Sequence, residues 1–239
     1  MKHFLCIIAV LCFTGTGWAQ SSFSRAEELY RQDKFAAALG AYEEILKNHP
    51  KDPFVYYNIG NCYFKMGSTG LAAVNYYRAF KLAPRDPDIR HNLTLALASG
   101  GEKFVPSGIP VIVHRVFFGL SLPELKGFVY VLFWGVCALA LLGIYKRRWS
   151  RWLTGLLVIF LLAGGWLYTR QQIDQETLAV IAVPTAEIRS GPGMNFPASA
   201  SASQGYLVTV EDEKDNWYEI ILSSQGIKGW IQKEAIEKI

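Results

Sequence analysis

Three stretches of the sequence are markedly more apolar than the rest, and the first lies at the N-terminus. It runs from Phe4 to Phe13 behind Lys2 and is followed by Gly17-Trp18-Ala19. A basic start, a short apolar run and small residues before a cleavage point are typical of a secretory signal peptide. We therefore predict that residues 1–19 are removed on export; the alternative is an uncleaved N-terminal anchor.

The other two apolar stretches, residues 127–145 and 152–169, carry no charged side chain. At about 1.5 Å per residue, each forms a helix of roughly 27–28 Å, close to the thickness of the hydrocarbon core of a bilayer. The loop between them, residues 146–151, contains four cationic side chains. Short basic loops are retained in the cytoplasm. The pattern predicts a two-helix transmembrane hairpin whose flanking arms lie on the opposite, periplasmic side.

A shorter apolar segment, residues 109–122, precedes this hairpin. It is interrupted by Pro110 and by the His114-Arg115 pair, and it is too short to span a bilayer. We interpret it as an interfacial helix within a membrane-proximal linker, residues 101–126. The alternative, a third span, would put the two arms on opposite sides of the membrane.

The N-terminal arm repeats itself with a period of 34 residues. The matching pairs are Ala26 and Gly60, Ala38 and Ala72, Tyr42 and Tyr76, and Pro50 and Pro84. This period is typical of helical-hairpin repeats. In the second unit Asp52 can cap the first helix and Pro53 can occupy its first turn. Residues 88–98 are predicted to form a single closing helix.

Residues 20–100 resemble the tetratricopeptide repeat. The residues that carry the resemblance are Tyr56, Ile59, Gly60, Tyr63, Ala72, Tyr76, Ala79 and Pro84. The resemblance implies that a concave groove, lined by the first helix of each pair, binds a peptide or protein. Its predicted contacts are Phe54, Tyr57, Asn58, Asn61, Phe64 and His91, with Asn92 beside them. The alternative for Tyr57 and Phe64 is that they pack against the next helix.

The C-terminal arm, residues 178–239, changes to short runs rich in β-forming residues separated by glycine turns. Residues 178–183, 206–210, 217–222 and 229–231 are predicted strands of a small barrel. The segments 188–193, Gln204-Gly205, 217–220 and 229–231 resemble the bacterial SH3-like (SH3b) domain. We expect Gly191 and Gly193 to supply positive backbone φ angles in a sharp turn.

The SH3-like resemblance implies binding of a peptide, a protein or the cell wall. Tyr218, Trp217 and Trp230 are the predicted ligand-binding residues. The alternative for the two tryptophans is a structural role in the core or at the rim of the barrel.

Composition and charge restrict the function further. The chain has 239 residues, of which 51% are hydrophobic and 18% charged, and a formal net charge of only +4. Neither this charge nor any basic stripe indicates a nucleic-acid partner. No histidine follows His114, and the last cysteine, Cys137, lies within a predicted span, so we find no catalytic pair, metal site or cofactor motif. We predict a protein that is not an enzyme.

The predicted fold class is a multidomain membrane protein with an all-α tetratricopeptide-repeat domain, a two-helix transmembrane hairpin and an all-β SH3-like small barrel. The order of these parts resembles the BatE-type proteins of Bacteroides aerotolerance operons. That resemblance implies an inner-membrane scaffold with both soluble domains periplasmic, working with von Willebrand A-domain membrane proteins and a MoxR-type ATPase. The alternative is an envelope receptor whose SH3-like domain binds peptidoglycan.

Overall fold

A computed structural model describes residues 22–106, 108–145, 149–222 and 225–239. The chain divides into two compact units. Of the described residues, one unit contains 22–106 together with those from 178 onwards, and the other contains those between 108 and 177. The predicted signal peptide, residues 1–19, lies outside the described residues, as do residues 146–148 of the predicted cytoplasmic loop.

Five helices form the first part of the larger unit. They are α1 (22–31), α2 (Phe35–Asn48), α3 (Pro53–Lys65), α4 (Thr69–Leu82) and α5 (Pro87–Ser99). Two of them begin at an aspartate followed by a proline. Asp52 accepts a hydrogen bond from the Phe54 N–H at 2.9 Å, and Asp86 accepts from two amides of α5. Both carboxylates thus satisfy helix N–H groups that have no partner within the helix.

The helices pack as antiparallel pairs related by the 34-residue period. The first pair buries Ala26, Ala38 and Tyr42 fully, and the equivalent residues of the second pair, Ala72 and Tyr76, are also buried. Gly60 faces the Tyr76 ring so closely that a Cβ atom would lie 2.7 Å from two ring carbons. The prediction of helical, tetratricopeptide-like repeats is therefore confirmed.

Seven strands form the second part of the larger unit. They are β1 (Thr177–Ile181), β2 (Thr185–Arg189), β3 (Ala198–Ser203), β4 (Leu207–Lys214), β5 (Trp217–Leu222), β6 (Ile227–Gln232) and β7 (Ile236–Lys238). They form one sheet in the order β3-β2-β6-β5-β4-β1-β7. Its core contains Ile181, Ile188, Ile220, Leu222 and Ile231, none of which is exposed.

The smaller unit contains α6 (Val111–Phe117), α7 (Leu122–Tyr145) and α8 (Ser150–Gln175). Within it α7 and α8 pack against each other, with the rings of Phe133 and Phe160 centred 6.2 Å apart. Both α7 and α8 are long and apolar enough to cross a membrane, a statement about length and composition only.

Helix α7 begins five residues before the charge-free run from which its span was predicted. The backbone N–H and the hydroxyl of Ser121 both donate to the Glu124 carboxylate, at 2.9 and 3.0 Å. The bond from the Ser121 N–H to the Glu124 carboxylate is the glutamate half of a capping box, and Pro123 occupies the first turn of the helix. The cap stabilises helical backbone well before the apolar run starts.

Candidate functional site

The polar residues predicted for the repeat groove are joined by hydrogen bonds across three helices. Asn61 of α3 accepts through Oδ1 from the Tyr76 hydroxyl of α4 at 2.8 Å and from Asn92 Nδ2 of α5 at 3.0 Å. Asn92 Nδ2 also donates to the Tyr57 hydroxyl at 3.1 Å. Asn58 Nδ2 donates to the carbonyl oxygen of Phe54, one turn earlier in α3. We call Tyr57, Asn61, Tyr76 and Asn92 the groove cluster.

A cavity of about 180 Å³ opens over the groove cluster. It is lined by Tyr30, Asn61, Phe64, Lys65, Tyr76, Asn92 and Leu95. Two of the predicted contacts, Asn61 and Phe64, therefore line it directly. Phe54, 54% exposed, and His91, also exposed, do not line it.

Sequence reasoning missed four residues of this cavity as groove contacts: Tyr30, Lys65, Tyr76 and Leu95. Tyr76 was assigned only to the packing between the paired helices. Tyr30 comes from α1, the weaker repeat, and Leu95 lies one turn beyond His91 in α5. Lys65 is the one with electrostatic consequences, because it brings a cation to the cavity. Its signal was available, since Lys65 follows Asn61 by four residues and therefore shares its helix face.

Burial shapes the ionisation of the groups beneath the groove. It raises the pKa of the Tyr76 hydroxyl, so this group stays protonated and can donate to Asn61. Burial also raises the pKa of the Cys62 thiol to about 11. Cys62 has no exposed surface, and a protonated, buried thiol is a poor nucleophile.

A second, larger cavity of about 670 Å³ lies between α1 and α2. Its lining includes Arg25, Leu29, Glu44 and His49, and none of the predicted groove contacts. It is open between the two helices of the first pair. Polar groups from three helices converge at the groove cluster. It is therefore the candidate binding site of the repeats.

Of the three predicted ligand residues of the barrel, Trp217 is the one that lines a cavity. Trp217 is 8% exposed and lines a cavity of about 420 Å³, whereas Tyr218 and Trp230 do not line it. Tyr218 pairs with Ile231 and packs against the barrel core, with the Lys238 ammonium 4.1 Å from its ring centre. Trp230 pairs with Glu219, and the two-residue period of the strands places it on the same face as Trp217, opposite to Tyr218.

Arg189 organises the loop beside the barrel cavity, a role that the sequence analysis missed. Its guanidinium donates to the carbonyl oxygens of Met194 and Phe196, at 3.0 and 2.7 Å, and pairs with Glu187. The arginine side chain is only 14% exposed. Three partners on one planar guanidinium fix the loop relative to β2.

The expectation of positive φ angles at Gly191 and Gly193 is wrong. Neither residue is among the glycines with positive φ, which are 67, 101, 108, 205 and 226 in the described chain. Space, and not backbone conformation, is what requires glycine at position 191. A Cβ atom on Gly191 would lie 2.6 Å from the Phe196 ring, and one on Gly193 would lie 2.5 Å from Asn195 Oδ1.

Comparison with known families identifies the type of domain that the C-terminal strands form. Residues 184–237 match the family described as the bacterial SH3 domain. The prediction of an SH3-like domain is thus confirmed for this part of the chain. No curated protein matches the sequence.

Two solved chaperone structures are among those that show some similarity to the chain. One is the Yersinia enterocolitica type III secretion chaperone SycD in complex with a peptide of the translocator YopD, with 17% identity, 60% of this chain and 92% of that chain covered, and a TM-score of 0.34. The other is the translocator chaperone SycD itself, with 18% identity, coverage of 66% and 93%, and a TM-score of 0.36. Similarities this low say nothing about what the present chain binds.

Among the described residues, no three His, Cys, Asp or Glu side chains are placed to hold a metal ion.

Proposed function

We propose that this chain is a membrane-anchored, non-enzymatic scaffold of the bacterial envelope whose repeat groove binds an extended segment of a partner protein. The observation that carries the proposal is the groove cluster, in which amide and hydroxyl groups from three helices converge under a cavity. Such groups match the donors and acceptors of an extended peptide backbone.

The groove offers hydrogen-bonding capacity beyond its internal contacts. Because the Tyr57 hydroxyl accepts from Asn92, its own proton can be donated to a ligand. Phe64 and Leu95 supply apolar walls, and Lys65 supplies a positive charge. We therefore expect a peptide with at least one apolar side chain and a carboxylate near the lysine.

The packing of the larger unit supports the same-side arrangement of the two soluble parts. The repeats precede α7 and the barrel follows α8, yet both belong to one compact unit. In a membrane-inserted chain, two parts that touch must lie on one side of the bilayer. An even number of crossings must then separate them, and α7 and α8 supply two, because α6, at seven residues, is too short to cross.

The proposed location and partners follow from the order of the domains, which resembles that of the BatE-type proteins. With the signal peptide and the basic loop, it gives an inner-membrane protein with both soluble parts in the periplasm. Membrane proteins with von Willebrand A domains, and an aerotolerance or envelope-stress role, are the partners and setting we propose on that basis.

A site-specific photocrosslinking experiment in intact cells tests the proposal. A photoreactive amino acid replaces Phe54, at the rim of the groove, in the full-length protein, and the adducts are identified by mass spectrometry. We expect adducts with envelope proteins, and a several-fold loss of these adducts when Asn92→Ala removes two hydrogen bonds of the groove cluster.

The matched control places the photoreactive residue at Glu44, an exposed helical position on α2, the second helix of its pair. The same adducts from both positions, or adducts that persist in Asn92→Ala, would contradict binding in the groove. The labelling rate of buried Cys62 checks that Asn92→Ala leaves the repeats folded.

A second candidate function is peptidoglycan binding by the barrel. The observation that favours it is the 420 Å³ cavity, which combines Trp217 and the exposed Met194 with the acidic Glu187 and Glu234. Carboxylates beside an aromatic ring suit an amine-bearing peptide. Cosedimentation of the detergent-solubilised full chain with purified cell-wall material, lost on Met194→Ala and kept on Asn92→Ala, would favour this candidate over the scaffold.

A further inference from the structure

The barrel contacts the helices of the repeats through bare backbone at three glycines. A Cβ atom on Gly70, in the first turn of α4, would lie 2.3 Å from the Ile181 carbonyl oxygen. A Cβ atom on Gly100, which ends α5, would lie 2.6 Å from the carbonyl carbon of Gly205. Gly205 itself has a φ of +90°, a backbone conformation that glycine adopts without strain. Backbone approach this close leaves no room for any other residue at positions 70 and 100.

Polar contacts surround these glycines. The Arg78 guanidinium of α4 donates to the Glu237 carboxylate at 2.9 Å and to the Lys238 carbonyl oxygen at 2.6 Å, both in β7. Gln204 Nε2 donates to the carbonyl oxygen of Gly67 at 3.3 Å. We call the surface formed by Ile181, Gln204, Gly205, Glu237 and Lys238 the docking face of the barrel.

The two equivalent helices α2 and α4 differ in burial, and this difference shows what the docking face does. Three residues of α2 are buried: Ala38, Tyr42 and Ile45. Eight residues of α4 are buried: Gly70, Ala72, Ala73, Val74, Asn75, Tyr76, Ala79 and Phe80. A helix buried over most of its circumference must be covered on more than one side.

The covered positions of α4 have exposed counterparts in the first repeat. Position 70 corresponds to Ala36 and position 74 to Gly40, 34 residues earlier, and both counterparts are exposed, whereas Gly70 and Val74 are buried. The first repeat thus accepts alanine at the position where the second, under the barrel, has glycine.

We infer that the barrel is the cap of the repeat array, so that the repeats and the barrel are stable only as one cooperative unit. Each repeat of such an array buries its apolar surface only against its neighbours, and two helix pairs with one closing helix are close to the minimum. The docking face supplies the missing neighbour of α4 and α5. The cavity beside Trp217 uses other residues of the barrel and stays available for a ligand.

Hydrogen exchange measured by mass spectrometry on the full chain in detergent or nanodiscs tests this inference. Gly70→Ala pushes a methyl group into the Ile181 carbonyl, and we expect exchange to rise about tenfold in α4, α5, β1 and β7 together. The matched control is Gly40→Ala, because a Cβ atom at position 40 meets nothing within 4 Å. In Gly40→Ala, hydrogen exchange should not rise in α4, α5, β1 or β7.

Arg78→Ala provides a milder second variant, with Glu44→Ala, the equivalent exposed position of α2, as its control. We expect Arg78→Ala to raise exchange in both α4 and β7, and Glu44→Ala to leave β7 unchanged. The capping role would be overturned if Gly70→Ala raised exchange in α4 alone. It would also be overturned if Arg78→Ala raised exchange in neither α4 nor β7. These readouts do not depend on the groove ligand, so this inference and the proposed function fail separately.

Discussion

Gly60→Ala and Gly40→Ala are the same chemical change at two helical positions, and the structure predicts opposite effects on stability. The methyl group at position 60 would lie 2.7 Å from two carbons of the Tyr76 ring, whereas the methyl group at position 40 meets no atom within 4 Å. The Tyr76 ring has little freedom to move aside, because it is 1% exposed and its hydroxyl is hydrogen-bonded to Asn61.

The magnitudes follow from two opposing contributions. Alanine is favoured over glycine within a helix by about 1 kcal/mol, which applies at both positions. Overpacking a rigid core costs about 1–3 kcal/mol, and the confined Tyr76 ring puts Gly60→Ala near the upper end. We therefore expect Gly60→Ala to lower the free energy of unfolding of the repeats by about 2 kcal/mol and Gly40→Ala to raise it by about 1 kcal/mol.

Buried Cys62 provides the assay, because its thiol can react with a maleimide only when the repeats open. Its pKa of about 11 and complete burial suppress reaction in the folded state. When closing is faster than labelling, the rate follows the open population, so Gly60→Ala should label about 30-fold faster than wild type and Gly40→Ala about 5-fold slower. Equal rates in the two variants would refute the tight contact between Gly60 and Tyr76.

Three further predictions concern other parts of the chain. Arg189→Ala should destabilise the barrel by about 2 kcal/mol in denaturant unfolding and raise hydrogen exchange in residues 191–196. Asp86→Ala should cost about 1 kcal/mol in the same assay, whereas Asp86→Asn, which can still cap, should cost less. Burial, and then Arg170, lower the pKa of His114 below its ordinary value of 6.5. The neutral imidazole is therefore the form that the fold stabilises. Hydrogen exchange of α6, corrected for the pH dependence of the intrinsic exchange rate, should rise as the pH falls below 6.5, and His114→Phe should abolish this rise.

The parts of the fold that were predictable from the sequence are those specified by neighbouring residues. The 34-residue period, together with the Asp-Pro starts of α3 and α5, locates the helices of the repeats. The alternation of β-forming residues locates β5, whose observed bounds are Trp217–Leu222, as predicted. The strand Ala198–Ser203 was missed because alternating alanine and serine are weak strand formers.

Contacts between residues that are distant in the sequence were harder to predict. A glycine required by a positive φ and a glycine required by a close neighbour are identical in the sequence, so Gly191 was assigned the wrong reason. The docking face joins Gly70 and Gly100 to residues about a hundred positions later, and no local pattern connects them. The groove cluster was partly predictable, because Tyr57 and Asn61 share one face of α3, and Lys65 of the cavity lies on that face too. Tyr30 and Leu95 reach the cavity from other helices, and that placement needed the structure.

The docking face affects how the two proposed binding surfaces, the groove cluster and the cavity beside Trp217, can bind one partner together. Two modules on a flexible linker raise each other's effective concentration for any ligand whose sites the linker can span. Here the barrel packs on α4 and α5, so the groove cluster and the cavity beside Trp217 are held at one separation and orientation. A partner can engage both only if its own two sites match that geometry, and the gain in affinity is lost when they do not. Selectivity for partner geometry, rather than tolerance of many partners, is therefore the expected consequence of joining the repeats and the barrel.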